Sequence, residues 1–183
     1  MKLIVAEKPS VARDIARVLK CSRKEGWFES EAYRVTWALG HLVTLKEPDE
    51  INERFKKWRR EDLPILPDEI GTQVIPKTRS QYAVVKTLML DRQTESLVCA
   101  TDAGREGELI FRLIYEHTGC AKPVERLWIS SLTDAAIREG FDALVRSVHY
   151  DGLYRSALCR AQADWLVGMN ASRAFTLQYN ALL

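Results

Sequence analysis

Three acidic residues, far apart in the chain, stand where a hard cation could be held. Glu7 follows the short apolar run Leu3 to Ala6, and Asp102 follows a second such run, Leu97 to Ala100, with Glu106 four residues further on. With Asp102 at a strand end and Glu106 in the first turn of a helix, their carboxylates can converge. Glu7 joins them if the two strands are neighbours, because open parallel sheets carry ligands beyond the carboxyl ends of their strands. Carboxylates sharing a crevice repel one another. A magnesium ion, which takes oxygen ligands and keeps several waters, relieves that repulsion with two or three of them. A lone acid at a strand end or helix start is otherwise an N-cap or a partner of the helix dipole, and the Asp102–Glu106 spacing does not by itself separate the two readings. Gly104 and Gly107, flanking Arg105 in a tight turn, favour the site, since glycine tolerates close backbone approach. Lys8, judged alone, is a solvated lysine after a strand.

The elements that must position these residues alternate in type. Leu3 to Ala6 suits a buried parallel strand, and Ser10 could cap a helix from Val11 to Leu19, whose apolar residues keep helical spacing. Tyr33 to Leu39 is rich in β-branched and aromatic residues and is expected to be a strand turned by Gly40-His41. Residues 46 to 79, with Pro48, Pro64, Pro67 and Pro76, look loop-rich. A helix is expected over Gln81 to Leu90, a strand over Leu97 to Ala100, a helix over Glu106 to His117, a strand over Val124 to Ser130, and a helix capped by Thr133 and running to Leu144. Strands alternating with helices predict an α/β domain, a mainly parallel sheet with helices on its faces. Residues 151 to 179 change character and suit one long helix or two, with Gly168 as a weak point. A domain boundary is expected near Ser147 to Asp151. The apolar end Ala181-Leu182-Leu183 lacks a cap or polar tail and looks like an interrupted helix.

Composition narrows the classes. Hydrophobic residues make up 46% and charged residues 28%, a globular balance, and a net charge of +2 means that any nucleic acid must be met by a local patch. Cys21, Cys99, Cys120 and Cys159 form no CxxC pair, which argues against zinc and for a reducing compartment; Cys99 lies in an apolar run and suits the core. No stretch approaches the roughly 18 apolar residues of a membrane helix, so a cytoplasmic protein is expected. Neither a GxGxxG after a strand nor a GxxxxGK[ST] loop is present, which speaks against a nucleotide-binding module.

Taken in order, several segments resemble one family. Glu7-Lys8-Pro9-Ser10 after an N-terminal strand looks like the opening of type IA DNA topoisomerases, and Asp102-Ala103-Gly104-Arg105-Glu106-Gly107-Glu108 resembles the Toprim acidic motif, DxDxEGE in its usual form. Trp37-Ala38-Leu39-Gly40-His41-Leu42 resembles a third shared segment. Asp62-Leu63-Pro64-Ile65 with Pro67, after Trp58, looks like the topoisomerase III branch. Arg160 to Asn170, then Ser172-Arg173-Ala174, is similar to the start of the helical domain that follows Toprim. The resemblance implies a Toprim domain over residues 1–148, Rossmann-like, and the start of a helical domain over 149–183. It implies Glu7 as general acid and base, Lys8 on the scissile phosphate, and magnesium at Asp102 and Glu106 with Glu7. It also implies contacts to single-stranded DNA from Lys8, Arg105, Arg160, Asp164, Ser172 and Arg173. Gly104 replaces the second aspartate of the usual motif, which leaves the number of metal ions open. The rest of a topoisomerase chain would complete the site, since no tyrosine here lies in a segment like the family's nucleophile motif; no small-molecule cofactor is implied. His41 is a candidate near the site.

Two readings compete with this one: another Toprim metal enzyme of nuclease or primase type, and a non-catalytic binding module on a Rossmann-like sheet. Arg54, Lys56, Lys57, Arg59 and Arg60, interleaved with Phe55 and Trp58, could bind a single strand, but a solvated loop pinned by two aromatics is the better reading. Arg160 and Asp164, four apart, are also what an ordinary helix-surface pair would be.

Overall fold

The computed structural model describes residues 1–179, so the expectation for Ala181-Leu182-Leu183 lies outside the described residues. In chain order the elements are β1 (Lys2–Ala6), α1 (Pro9–Val18), β2 (Ser22–Arg23), β3 (Phe28–Glu29), β4 (Tyr33–Trp37), β5 (Val43–Leu45), α2 (Pro48–Ile51), β6 (Thr72–Val74), α3 (Arg79–Leu90), β7 (Ser96–Ala100), α4 (Arg105–Thr118), β8 (Val124–Arg126), α5 (Asp134–Asp142), β9 (Val145–Arg146) and α6 (Asp151–Tyr179). Seven strands form one sheet in the order β2-β3-β4-β1-β7-β8-β9, while β5 and β6 form a separate two-stranded sheet. The central pairs, β4 with β1, β1 with β7 and β7 with β8, are parallel; the flanking pairs are antiparallel.

Parallel strands covered on both faces must be apolar throughout, and β1 and β7 are: Leu3, Ile4, Val5, Leu97, Val98 and Cys99 have no solvent exposure. Alternation along each strand sends Ile4, Ala6, Val35, Val98 and Ala100 into one core with Ala12, Ile15 and Ala16 of α1 and Ile137 of α5. Each such aliphatic side chain contributes about 1.5–3 kcal/mol by leaving water. Helices α3 and α4 pack together, with α3 against β1 and β4.

The chain divides into two compact units, one of residues Met1–Thr44 and Val74–Ala157, the other of Leu45–Gln73 with the residues from Leu158 onward. In the second, Leu45, Phe55, Ile65 and Trp165 form the core. Trp165 donates its indole N–H to the Lys46 carbonyl at 2.8 Å. Asn170 bridges Ile65 twice, its Oδ1 accepting from the amide at 2.6 Å and its Nδ2 donating to the carbonyl at 3.0 Å.

Some local expectations shift. Lys8, not Ser10, occupies the N-cap of α1, because Pro9 takes the first helical position, where its missing N–H costs nothing. Strand β8 stops at Arg126 rather than Ser130. Thr133 does cap α5, its hydroxyl accepting from the Ala136 amide at 3.3 Å. Gly168 lies inside α6, which is one helix of 29 residues. The loop-rich segment holds α2, β6 and short 3-10 turns. The four cysteines are free, with Cys99 buried. Among the described residues no helix is long and apolar enough to cross a membrane.

Arg34 of β4 is 8% exposed and ties the edge of the sheet together. Its Nε donates to Glu29 at 2.7 Å, Nη1 to Asp91 at 2.8 Å and Nη2 to the Gln93 side-chain carbonyl at 2.6 Å. Glu29 is held below its ordinary carboxylate range chiefly by the Arg34 hydrogen bond, and Asp91 by the Gln93 amide and then Arg34. Depressed carboxylates stabilise the fold above their unfolded pKa, and that contribution is lost as pH falls through the folded value. Arg34→Met should therefore lower the urea midpoint at pH 7, with the deficit shrinking below about pH 4 as both acids protonate. Equal deficits at pH 7 and pH 3 in chemical unfolding would contradict this account.

Candidate active site

In-register pairing of β1 with both neighbours sets Ala6 level with Trp37 on one side and Ala100 on the other. The residues that follow all three strands therefore emerge at one edge. Glu7 leaves β1 and is 8% exposed; Asp102, two residues past β7, is exposed. One Glu7 carboxylate oxygen accepts the Asp102 backbone N–H at 3.1 Å. Lys8 stands beside both, its ammonium donating to the Asp102 carboxylate at 3.0 Å and lying 3.5 Å from Glu7. The Asp102 hydrogen bond, followed by the charges of Asp102 and Glu7, raises the Lys8 pKa, so this ammonium stays charged at neutral pH.

Gly40 turns the chain after β4 at φ 73°, a left-handed conformation that favours glycine, and delivers His41 to the same edge. The His41 Nε2 lies 2.6 Å from the Glu106 carboxylate. Glu106 is thus paired with His41, while Glu7 and Asp102 are joined through Lys8. Among the described residues no three His, Cys, Asp or Glu side chains form a ready metal cage. The donor set still suits a hard cation: Asp102 and Glu106 are exposed oxygen ligands on one turn, and such an ion needs few protein ligands beside its waters. Arg105 is exposed at the start of α4.

Of the two glycines in the turn, only one is demanded by space. A Cβ on Gly107 would meet the Asp102 carbonyl oxygen at 2.1 Å, whereas a Cβ on Gly104 would meet nothing within 4 Å. The Gly107 carbonyl also accepts from the Thr101 hydroxyl at 2.7 Å. Gly107 thus lets α4 begin directly against the backbone that carries Asp102.

Two charged residues lie behind the site: Glu108, the last residue of the acidic motif, and Arg126, which the sequence did not single out. Arg126 and Glu108 are both fully buried. Arg126 Nη1 donates to the carbonyls of Cys99 at 3.0 Å and Thr101 at 2.8 Å, and Nη2 to that of Asp102 at 2.7 Å. Its Nε lies 3.2 Å from a Glu108 oxygen, an ion pair without hydrogen-bond alignment. The other Glu108 oxygen accepts from Arg112 at 2.9 Å, and Arg112 reaches on to Asp151 and the Ser147 carbonyl.

The remaining DNA-contact candidates lie in the second unit. Arg160 and Asp164 are exposed and 3.6 Å apart, and Ser172 is exposed. Arg173 points inward: it is 6% exposed, donates to the Phe55 carbonyl at 2.7 Å, and sets its guanidinium 5.0 Å from the Trp58 ring centre. A phosphate contact would require it to leave these partners. Of the basic segment, Arg54, Lys56, Lys57, Arg59 and Arg60 are exposed and Phe55 is buried, but Trp58 is 45% exposed, so one aromatic rather than two pins the loop.

The sequence matches the family described as Toprim domain over residues 2–132, and the chain belongs to it. Toprim is a metal-binding domain. The chain is 53% identical over 182 residues to DNA topoisomerase 3 of Bacillus subtilis (strain 168), covering 99% of this chain and 25% of that protein. To DNA topoisomerase 3 of Staphylococcus epidermidis it is also 53% identical, covering 26% of that protein, and to that of Bacillus anthracis 52%, covering 25%. It thus spans about a quarter of the length of these curated relatives, and is homologous to the N-terminal region of bacterial DNA topoisomerase 3, a type IA topoisomerase. The structure shares its fold with full-length topoisomerase I from Thermotoga maritima, with a TM-score of 0.63 at 23% identity over 90% of this chain and 24% of that one.

Gly107→Ala should destabilise the protein by about 1–3 kcal/mol, because the added methyl overpacks a backbone contact that cannot yield. Gly104→Ala should stay within about 0.5 kcal/mol, as the space is open and the backbone extended. Urea unfolding of the two variants checks the contrast, and equal stability would refute the packing account.

Proposed function

We propose that this chain supplies the acidic site, and part of the single-strand groove, of a type IA DNA topoisomerase of the topoisomerase III branch, acting in the cytoplasm. One observation carries the reading: Glu7, Lys8 and Asp102 form one hydrogen-bonded group at the ends of adjacent parallel strands. The relatives' names support it. We place a Toprim domain over residues 1–148 and the start of a helical domain from 149, close to where α6 begins at Asp151, although the two compact units divide the chain differently.

In the proposed reaction a tyrosine oxygen, from the part of the relatives that this chain does not span, attacks a phosphodiester. It keeps the 5′ phosphate while the 3′ oxygen leaves. Glu7, nearly buried and hydrogen-bonded to the Asp102 amide, passes the proton that the tyrosine hydroxyl gives up to that leaving oxygen, and the proton returns by the same route on religation. Lys8, charged at neutral pH, turns from the carboxylates to the phosphate as negative charge develops there. Asp102 and Glu106, with Glu7 behind, would hold magnesium, which supplies charge neutralisation and alignment of the strand for resealing. Arg105 from the start of α4, and Arg160 and Ser172 of α6 with Arg173 if it is released, would meet the DNA backbone, Asp164 helping to order Arg160, so binding is salt-sensitive and weakly selective.

In the full-length enzyme, Lys8→Ala and Glu7→Gln should each lower relaxation of supercoiled plasmid by about 100-fold or more. The present chain alone should neither relax nor nick the plasmid in magnesium. Metal-dependent nicking by this chain would point instead to a Toprim nuclease, and relaxation by it would overturn the need for a tyrosine elsewhere.

A further inference from the structure

We propose that Arg126, braced by Glu108, is a positioning residue for the acidic site: it fixes the backbone that carries Asp102 and thereby sets the site's affinity for a divalent cation. The second half of this claim rests on the metal reading above; the first half stands on geometry alone.

Strand β8 ends at Arg126, and Leu127 gives the last ladder bond, to the Cys99 carbonyl at 2.9 Å. Strand β7 itself ends one residue later, at Ala100, and the Thr101 and Asp102 carbonyls beyond it accept from Arg126. Its planar guanidinium presents donors in a fixed fork, and two of its nitrogens reach three carbonyls, those of Cys99, Thr101 and Asp102. The Asp102 residue is then held at both ends: its N–H by Glu7, its C=O by Arg126.

A fully buried ion pair is weak support for stability, since apolar residues of similar volume often replace one at no loss. Here the guanidinium does something an apolar side chain cannot. It holds the backbone just past the end of β7, at the residue whose carboxylate is exposed. Groups that hold metal ligands in place typically change affinity by about 10–100-fold when removed.

The test uses the present chain with Arg126→Met, Arg126→Lys and the double variant Arg126→Met with Glu108→Leu. Two readouts are taken on each: manganese affinity by calorimetry, and hydrogen-exchange protection of the Asp102 amide by NMR. Arg126→Met leaves the buried Glu108 with Arg112 as its remaining ion partner and should unfold more easily; the double variant removes both buried charges of the pair and should regain stability. If Arg126 positions the site, the double variant still loses Asp102 amide protection and about tenfold or more in manganese affinity, although amides within β1 and β7 stay protected. Arg126→Lys, which keeps the charge but not the fork, should show the same losses in milder form. If the double variant recovers wild-type amide protection and affinity along with stability, the pair is merely structural and the proposal fails. Should the wild-type chain bind no manganese, the metal reading fails, and the Asp102 amide alone decides whether Arg126 positions it.

Discussion

Parallel hydrogen bonding of β1 between β4 and β7 is the constraint on which the site depends. Glu7, His41 and Asp102 lie on three different segments, and only a level register at Ala6, Trp37 and Ala100 brings their strands to an end together. A slip of one residue would exchange the two faces of a strand and bury the wrong set of side chains. The apolar strand interiors, which have no solvent exposure in β1 and β7, make that slip costly. Burial of the core thus sets the position of the acids indirectly, by allowing one register and no other.

Charge at this edge is balanced pair by pair. Asp102 and Glu7 share Lys8, and Glu106 has His41. The Lys8–Asp102 pair is about half exposed on both sides, and exposed pairs of this kind contribute little and exchange readily. Under the proposed function Lys8 would exchange the carboxylates for a phosphate, and the carboxylates would exchange Lys8 and His41 for a cation. The partners behind the acids, Arg126 and the Gly107 turn, are buried, and no such exchange is open to them. Replaceable charges in front of a fixed backbone are what a site needs if it must bind, release and bind again.

Legibility from sequence followed burial. Strands β1, β4 and β7 announce themselves as short apolar or β-branched runs, and the acids after β1 and β7 could be named because an α/β sheet places its chemistry at carboxyl ends. Two-residue strands such as β2, β3 and β9 have no period to read, since their pairing is supplied by the neighbouring strand. Arg126 was missed because a charged residue is normally taken as solvated, and nothing local says that β8 will stop there; Glu108 stood in the acidic motif, but its burial could not be read from it. His41 could be suspected only from its motif, since a lone histidine after a strand carries no period. The grouping of residues 45–73 with the later part of α6 was equally hidden. It rests on side chains reaching backbone carbonyls more than a hundred residues away, as Trp165 does to Lys46 and Arg173 to Phe55.

That last feature also sorts the residues of α6 by what they are free to do. Trp165, Asn170 and Arg173 fall within the same motif-like stretch as Arg160, Asp164 and Ser172, yet they face the other way. The first three hold Lys46, Ile65 and Phe55, so their identities are accounted for by a loop-rich segment with little regular hydrogen bonding of its own. The second three are exposed. A surface that meets a nucleic-acid backbone must be open to it, and an arginine already spent on a buried carbonyl would leave that acceptor unsatisfied if it moved, a loss of about 1–3 kcal/mol. The resemblance treats all six as one stretch; the geometry divides them into residues that build the surface and residues that can present it.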